Sequence, residues 1–392
     1  MPLIGAVADD LTGATTTGVL LARSKARTAV FFNEEAAEKA EGLDALDAVL
    51  ISSNSRALPA NEAYEKVKSA TQALKRMGVR HFTKRIDTTL RGVGIEVDAM
   101  LDMVGEDAVA VVVPAMPQSR RILVGGYSVI DGVALINTPV AQDVRTPVKE
   151  NYIPRLLSSQ TKRQVGLVAL DKVLKGADTV REALEAERSA GCSVIVVDAI
   201  TLEDVEEIAK ACIELRWNVV SVDPGPFTSK LAYHRGLIGT EEPNVPPEAD
   251  EAGKTVLIAA GSATPVTKRQ MEVLCEDDRH VRISVDPIPL IEGGDAAMDE
   301  AFKAVHKAVE LLESDSQPRA ILFETALHGE LLNLDEEDNK RHYAGGMSAD
   351  RINAGLGTII SQVLEQIGRE KIAGLYTTGG DTMVNVCYQL GV

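Results

Sequence analysis

The sequence predicts an α/β protein of two domains, each a mainly parallel sheet flanked by helices. Three observations predict it. Short, continuously apolar, β-branched runs recur between Gly, Pro, Asp or Ser; helix-patterned stretches separate them; and one proline-rich acidic segment divides the 392 residues. The runs are Leu3 to Ala8, Ala48 to Ser52, Val109 to Val113, Val194 to Val197, Val219 to Val222, Val256 to Ala260, Ala320 to Phe323 and Leu375 to Thr377. A strand that is apolar along its whole length has both faces covered, as in a parallel sheet between helix layers. Edge strands and strand order are not legible from such runs.

The dividing segment is TEEPNVPPEADEAGK, Thr240 to Lys254, with three prolines, five acids and no apolar periodicity. It sets expected domains at residues 1–240 and 255–392, joined by a linker at 241–254. The competing reading is a surface loop within one large domain.

Composition narrows the function. With 41 basic and 58 acidic residues, the net charge of −17 opposes nucleic acid and anionic membrane surfaces as partners. Cys192, Cys212, Cys275 and Cys387 form no CxxC pair and are expected to be reduced thiols. The start MPLIGAVADDLTGA reaches two aspartates before a signal-length apolar stretch, and no run approaches the ~20 apolar residues of a membrane span, so a cytoplasmic protein is expected. An anionic small molecule remains admissible wherever Lys, Arg and backbone N–H groups oppose the global field.

Four strand-to-helix turns carry candidate chemistry. The first, Ala8-Asp9-Asp10-Leu11-Thr12-Gly13-Ala14, puts two carboxylates where open α/β sheets bind ligands; they suit sugar hydroxyls, Mg²⁺ or a hydroxyl proton, although Asp10 also suits helix capping. The second, Thr83-Lys84-Arg85-Ile86-Asp87-Thr88-Thr89-Leu90-Arg91-Gly92, follows the strand-like VRHF. Its cations, acid and hydroxyls suit a carboxylate-bearing polyol, against a solvated loop of local ion pairs. The third, Gly261-Ser262-Ala263-Thr264-Pro265-Val266-Thr267, lies between the strand TVLIAA and the helix KRQMEVL and offers backbone N–H groups to phosphate, a weak signal by itself. The fourth, Thr377-Thr378-Gly379-Gly380-Asp381-Thr382, permits close backbone approach beside an acid suited to Mg²⁺ or a ribose hydroxyl, and a plain turn is its alternative. There is no GxxxxGK[ST], no GxGxxG opening a βαβ unit, no HExxH and no GxSxG, which disfavours P-loop, dinucleotide, zinc-protease and α/β-hydrolase chemistry.

In order, ADDLTGA, KRIDTTLRG, PAMP with its following GG and DG steps, GSATPVTKRQ and GGDT resemble the four-carbon acid sugar kinase family over nearly the whole chain. The resemblance implies an ATP-dependent phosphotransferase with an alcohol acceptor, acting on threonate, erythronate or 3-oxo-tetronate with Mg²⁺. It implies a sugar-acid domain at 1–240 and a nucleotide domain at 255–392. Carried over, Asp9, Asp10, Lys84, Asp87, Thr88 and Arg91 face the acid, and Asp10 then Asp87 are candidates for the hydroxyl proton. Arg91, with Lys84, would neutralise the carboxylate, while Gly261, Ser262, Thr378, Gly379, Gly380, Asp381 and Thr382 face ATP. Thr16, Arg120 and Ile122 depart from the family pattern around the acceptor site, where Asp, Gly and Thr are expected. The chain stops at Val392, before a further glycine-containing segment of the relatives, so an incomplete nucleotide domain is expected. A non-catalytic sugar-acid and nucleotide-binding regulator on the same fold is the alternative function. The expected partners are the sugar acid and ATP, with a homo-oligomer left open.

Overall fold

Eleven strands are described in the N-terminal part of the chain: β1 (Ile4–Ala8), β2 (Thr28–Phe31), β3 (Ala48–Ser52), β4 (His81–Arg85), β5 (Val109–Val112), β6 (Arg121–Val124), β7 (Tyr127–Ile130), β8 (Val133–Ala134), β9 (Val165–Val168), β10 (Val194–Val197) and β11 (Val219–Asp223). Eight of them form one parallel sheet in the order β2-β3-β1-β4-β11-β5-β10-β9, and β6, β7 and β8 form a small antiparallel sheet inserted after β5. The C-terminal strands β12 (Thr255–Ala260), β13 (His280–Ser284), β14 (Ala320–Glu324) and β15 (Ile372–Thr378) form a second parallel sheet, ordered β13-β14-β12-β15. The computed structural model describes residues 1–87, 90, 92–138, 141, 148–240, 253–326 and 332–392. It divides into two units, Met1–Val245 and Pro246–Val392. Positions 241–252 of the expected linker lie outside the described residues, as do Thr88, Thr89 and Arg91.

The helices of the first unit are α1 (Leu11–Arg23), α2 (Glu34–Lys39), α3 (Ala60–Arg76), α4 (Val93–Val104), α5 (Ile153–Ser158), α6 (Leu170–Val173), α7 (Ala177–Ser189), α8 (Leu202–Leu215) and α9 (Pro226–His234). Those of the second are α10 (Pro265–Leu274), α11 (Pro287–Glu292), α12 (Gly294–Glu313), α13 (Leu334–Arg341), α14 (Met347–Ile367) and α15 (Gly380–Gln389). Among the described residues no helix is long and apolar enough to cross a membrane.

Each parallel sheet is covered on both faces, which is why its central strands are apolar throughout. Val7, Val49 and Ile51 pack with α3 and α4 on one face of the large sheet, and Ala6, Ala8 and Leu50 pack with α1 on the other. In the second unit Leu257, Ala259 and Phe323 pack with α12, α14 and α15, whereas Ile258, Ala260 and Leu322 pack with Met271 of α10. The strand-like VRHF extends further than the sequence indicates, since β4 runs to Arg85. Successive strand side chains point to opposite faces, so Lys84 and Arg85 are separated by the sheet instead of sharing one turn. Arg120 adopts φ 52, the left-handed region that explains why Gly is expected there, and it pairs with Asp131 at 2.8 Å.

His81 opens β4 half-buried, and burial first, then the Arg235 and Arg80 charges, press its imidazole from 6.5 down to about 4. A depressed histidine binds its proton more readily in the unfolded chain, so its contribution to stability is present above pH 6.5 and is lost as pH falls towards 4. Replacing it by Gln is expected to flatten the fall in melting temperature across that window. An unchanged slope between the variant and the parent protein would contradict this account.

Candidate active site

In the first unit the chain leaves β1 through α1 towards β2 and β3 on one side, and leaves the neighbouring β4 through α4 on the opposite face. Adjacent loops that depart to opposite faces open a crevice at the carboxyl ends of the strands. Asp9 and Asp10 follow β1, Arg56 follows β3, Arg85 ends β4 and Asp87 lies just beyond it. The segment before the antiparallel insert adds Ser119, and the first residue of β6 adds Arg121. A cavity of about 260 Å³ results, lined by Asp10, Thr12, Arg56, Arg85, Asp87 and Arg121, with Thr16, Met116, Ser119 and Pro224 completing the wall. Three guanidinium groups meet two carboxylates there, in a protein whose net charge is −17.

The arginines are held by the acidic pair. Arg56 donates from Nε to Asp9 Oδ2 at 2.8 Å and reaches Asp10 Oδ2 from Nη1 at 2.6 Å. Arg85 Nη1 lies 3.4 Å from Asp9 Oδ1 and 3.4 Å from Asp10 Oδ1. Asp10 also accepts the Gly13 N–H at 2.7 Å, so it caps α1 while lining the cavity. Gly13 is required by close approach: a Cβ there would overlap the Arg85 guanidinium and lie 2.7 Å from its Cδ. Burial would raise the Asp9 carboxyl, but Lys84, Arg56 and Arg85 together hold it below its ordinary value. Burial likewise opposes the Arg56 charge, and Asp9, Asp10 and Asp87 outweigh it, keeping the guanidinium more firmly protonated than usual.

Lys84 and Asp9, both expected to face the acid, lie behind this surface. Lys84 is fully buried, donates to the Arg85 carbonyl at 2.8 Å and pairs with Glu96 Oε2 of α4 at 2.9 Å. Asp9 is 1% exposed. Removing one member of such a buried pair strands the other charge and typically costs about 3–5 kcal/mol.

The second unit repeats the layout. Strand β12 is followed by α10 on one face and its neighbour β15 by α15 on the other, and the two small-residue turns face each other between them. A Cβ built on Gly379, whose φ is 103, would lie 3.4 Å from Ser262 N. Thr264 caps α10 through the Thr267 N–H, and Thr267 donates to Ser262 Oγ at 3.0 Å. Gly261 and Ser262 thus lie beside Gly379 and Thr382 in the turns that follow the paired strands β12 and β15, with Asp381 exposed in the first turn of α15. Thr382 turns inward, is 1% exposed and donates to Asn353 Oδ1 at 2.7 Å. A Cβ on Gly261 would overlap the Thr382 hydroxyl and lie 2.8 Å from Asn353 Oδ1.

The sequence analysis did not single out Arg56, Arg121, Ser119, Glu96 or Asn353. Arg56 carried a readable signal, since the polar SSNSR directly follows the apolar run Ala48 to Ser52. The others converge only through the fold.

Two domain families match this chain: a sugar-binding N-terminal domain over residues 4–231 and a nucleotide-binding C-terminal domain over residues 257–392. D-erythronate kinase of Heliobacterium modesticaldum is 37% identical over 98% of this chain and 84% of its own length. D-threonate kinase of Salmonella typhimurium is 30% identical over 98% of this chain and 86% of its own. A solved chain from Salmonella typhimurium LT2, 20% identical, shares the fold with a TM-score of 0.76 over 99% of this chain and 88% of that one. With both domains and the relatives aligned along nearly its whole length, the chain belongs to the four-carbon acid sugar kinase family.

Proposed function

We propose that this protein transfers the γ-phosphoryl group of ATP to a hydroxyl of a four-carbon sugar acid of the erythronate or threonate type. The acid occupies the cavity of the first unit and the nucleotide phosphates lie on the paired turns of the second. The observation that carries the reading is the convergence of Asp10, Asp87, Arg56, Arg85 and Arg121 on one cavity of about 260 Å³. That donor set suits one carboxylate and several hydroxyls: planar guanidinium forks match the acid, while carboxylates and the Thr12 and Ser119 hydroxyls match the polyol. Arg91, which follows Asp87 by four residues, is a further candidate for the acid.

The hydroxyl oxygen attacks the γ-phosphorus, the bond to the bridging β–γ oxygen breaks, and the hydroxyl proton passes to an acceptor beside it. Asp10 Oδ1 already accepts Gly13 N–H and Arg85, whereas Oδ2 accepts Arg56 and retains a lone pair for a substrate hydroxyl. This supports Asp10 as the group that orients the hydroxyl, with Asp87 as the second candidate for the proton. Catalysis of this kind rests on positioning and charge neutralisation. Mg²⁺, which binds few protein carboxylates together with nucleotide phosphates, fits the exposed Asp381 at the head of α15 and would neutralise phosphate charge there.

The direct test measures ADP formation from Mg-ATP with D-erythronate, D-threonate and 3-oxo-tetronate beside neutral four-carbon polyols. Turnover is expected with an acid and not with the polyols. Preference for the polyols would overturn the reading, and binding of both ligands without ADP would indicate the regulator.

The two glycine contacts separate the sites. Gly13→Ala adds a methyl group where the Arg85 guanidinium lies. Because Ala suits a helix better than Gly, the melting temperature should scarcely fall while the acid KM rises about tenfold. Gly261→Ala should instead raise the ATP KM about tenfold by displacing the Thr382–Asn353 bond, with the acid KM near the parent value. Equal losses for both substrates in either variant would contradict the division of roles.

A further inference from the structure

Behind the acceptor cavity lies a charged assembly that the transfer chemistry does not use. Glu96 is 1% exposed and projects from α4 into a core of aliphatic side chains, where Lys84 Nζ meets its Oε2 at 2.9 Å. Its other oxygen accepts the hydroxyl of Ser55. Ser55 in turn donates its N–H to the Asp9 carbonyl at 3.0 Å, and the Arg56 N–H reaches the same carbonyl at 3.3 Å. Ser53 Oγ lies 2.8 Å from Ser55 Oγ and donates to the Ala8 carbonyl at 2.8 Å. The loops that follow β1, β3 and β4 are therefore tied to one another and to α4 through Glu96.

Two apolar side chains at positions 84 and 96 would satisfy a core. What an aliphatic pair cannot do is accept the Ser55 hydroxyl, whose bond to Glu96 adds a side-chain anchor to the bonds that residues 53–56 make with the Ala8 and Asp9 carbonyls. Resting on the acceptor-site reading above, we propose that Glu96, with Lys84 and Ser55, is a positioning unit that sets where Arg56 stands in the acid-binding cleft and where Asp9 stands behind it. None of the three is among the residues lining the cavity, so the unit acts through Arg56, whose fork onto Asp9 and Asp10 forms the cavity wall.

The test uses the full chain and steady-state kinetics with Mg-ATP and D-erythronate. Ser55→Ala removes one hydroxyl; Glu96→Gln removes the charge and keeps the shape. Both variants are expected to raise the acid KM about threefold to tenfold, with the ATP KM within about twofold of the parent and kcat at saturating acid preserved. A merely structural role would lower the melting temperature and leave the acid KM unmoved. If Glu96→Gln fails to fold, Ser55→Ala decides alone. A folded Ser55→Ala whose acid KM stays within about twofold of the parent, or whose two KM values rise together, overturns the inference. Asp10→Asn is the companion measurement. Unchanged acid kinetics in that variant would defeat the acceptor-site reading itself, whereas a severe loss there beside an unaffected Ser55→Ala defeats only the positioning unit.

Discussion

Both proposed sites depend on one topological constraint, a pair of neighbouring parallel strands whose following helices cover opposite faces of the sheet. A parallel strand must be followed by a crossover, and the crossover helix must cover one face. Where neighbouring strands send their helices to opposite faces, the loops part and leave polar backbone and side chains unburied by either layer. β1 and β4 meet this condition in the first unit, and β12 and β15 in the second. The chemistry-bearing residues are therefore the last residues of these strands and the first residues after them.

An acidic chain then has to hold cations at the mouth of the first crevice. It does so by alternating signs through successive layers: Arg56 and Arg85 against Asp9 and Asp10, and Lys84 against Glu96 beneath them. Each of these buried or half-buried charges around Asp9 and Glu96 has a partner of opposite sign within ion-pair distance, which limits the desolvation penalty there. The pairing also fixes rotamers, because a guanidinium held by two carboxylates cannot swing towards solvent. Burial raises the Glu96 carboxyl, with Asp9 adding to the rise, against the lowering effect of Lys84 and Ser55. Lys84 lowers both acids; Asp9 ends below its ordinary value because Arg56 and Arg85 add to that effect, whereas burial outweighs it at Glu96.

The parts of the fold legible in the sequence were those whose physics is local. Strands buried at every position, such as Ala48–Ser52 and Val194–Val197, showed as apolar runs, while the half-buried edge strands Thr28–Phe31 and Val165–Val168 did not. The antiparallel insert escaped because its three strands are short and mostly partly exposed. At the site, the acids at strand ends were legible as types in a position. The fate of Lys84 and Arg85 was not, because their separation follows from the length of β4, and a strand ending at Phe82 would have left both in the loop. Arg56 and Arg121 lie 47 and 112 residues from Asp9, a relation set by sheet order alone.

The glycines of the two turns record the same constraint more sharply than the charged residues do. Glycine in a strand-to-helix turn is commonly read as conformational freedom or as room for a phosphate. Gly13 lies inside α1, where its backbone is ordinary helix, and what its missing Cβ admits is the Arg85 side chain from the adjacent strand. Gly261 directly follows β12, and the space above it is taken by Thr382 and Asn353 from two other elements. In both units the glycine admits a side chain from the neighbouring strand or the helix that follows it. The turns are consequently bridged at their base, and under the proposed function ligand groups meet a floor whose polar atoms are already fixed in direction. Such a floor loses little freedom on binding, which is the condition under which a few charge-assisted hydrogen bonds translate into selectivity for one small anion.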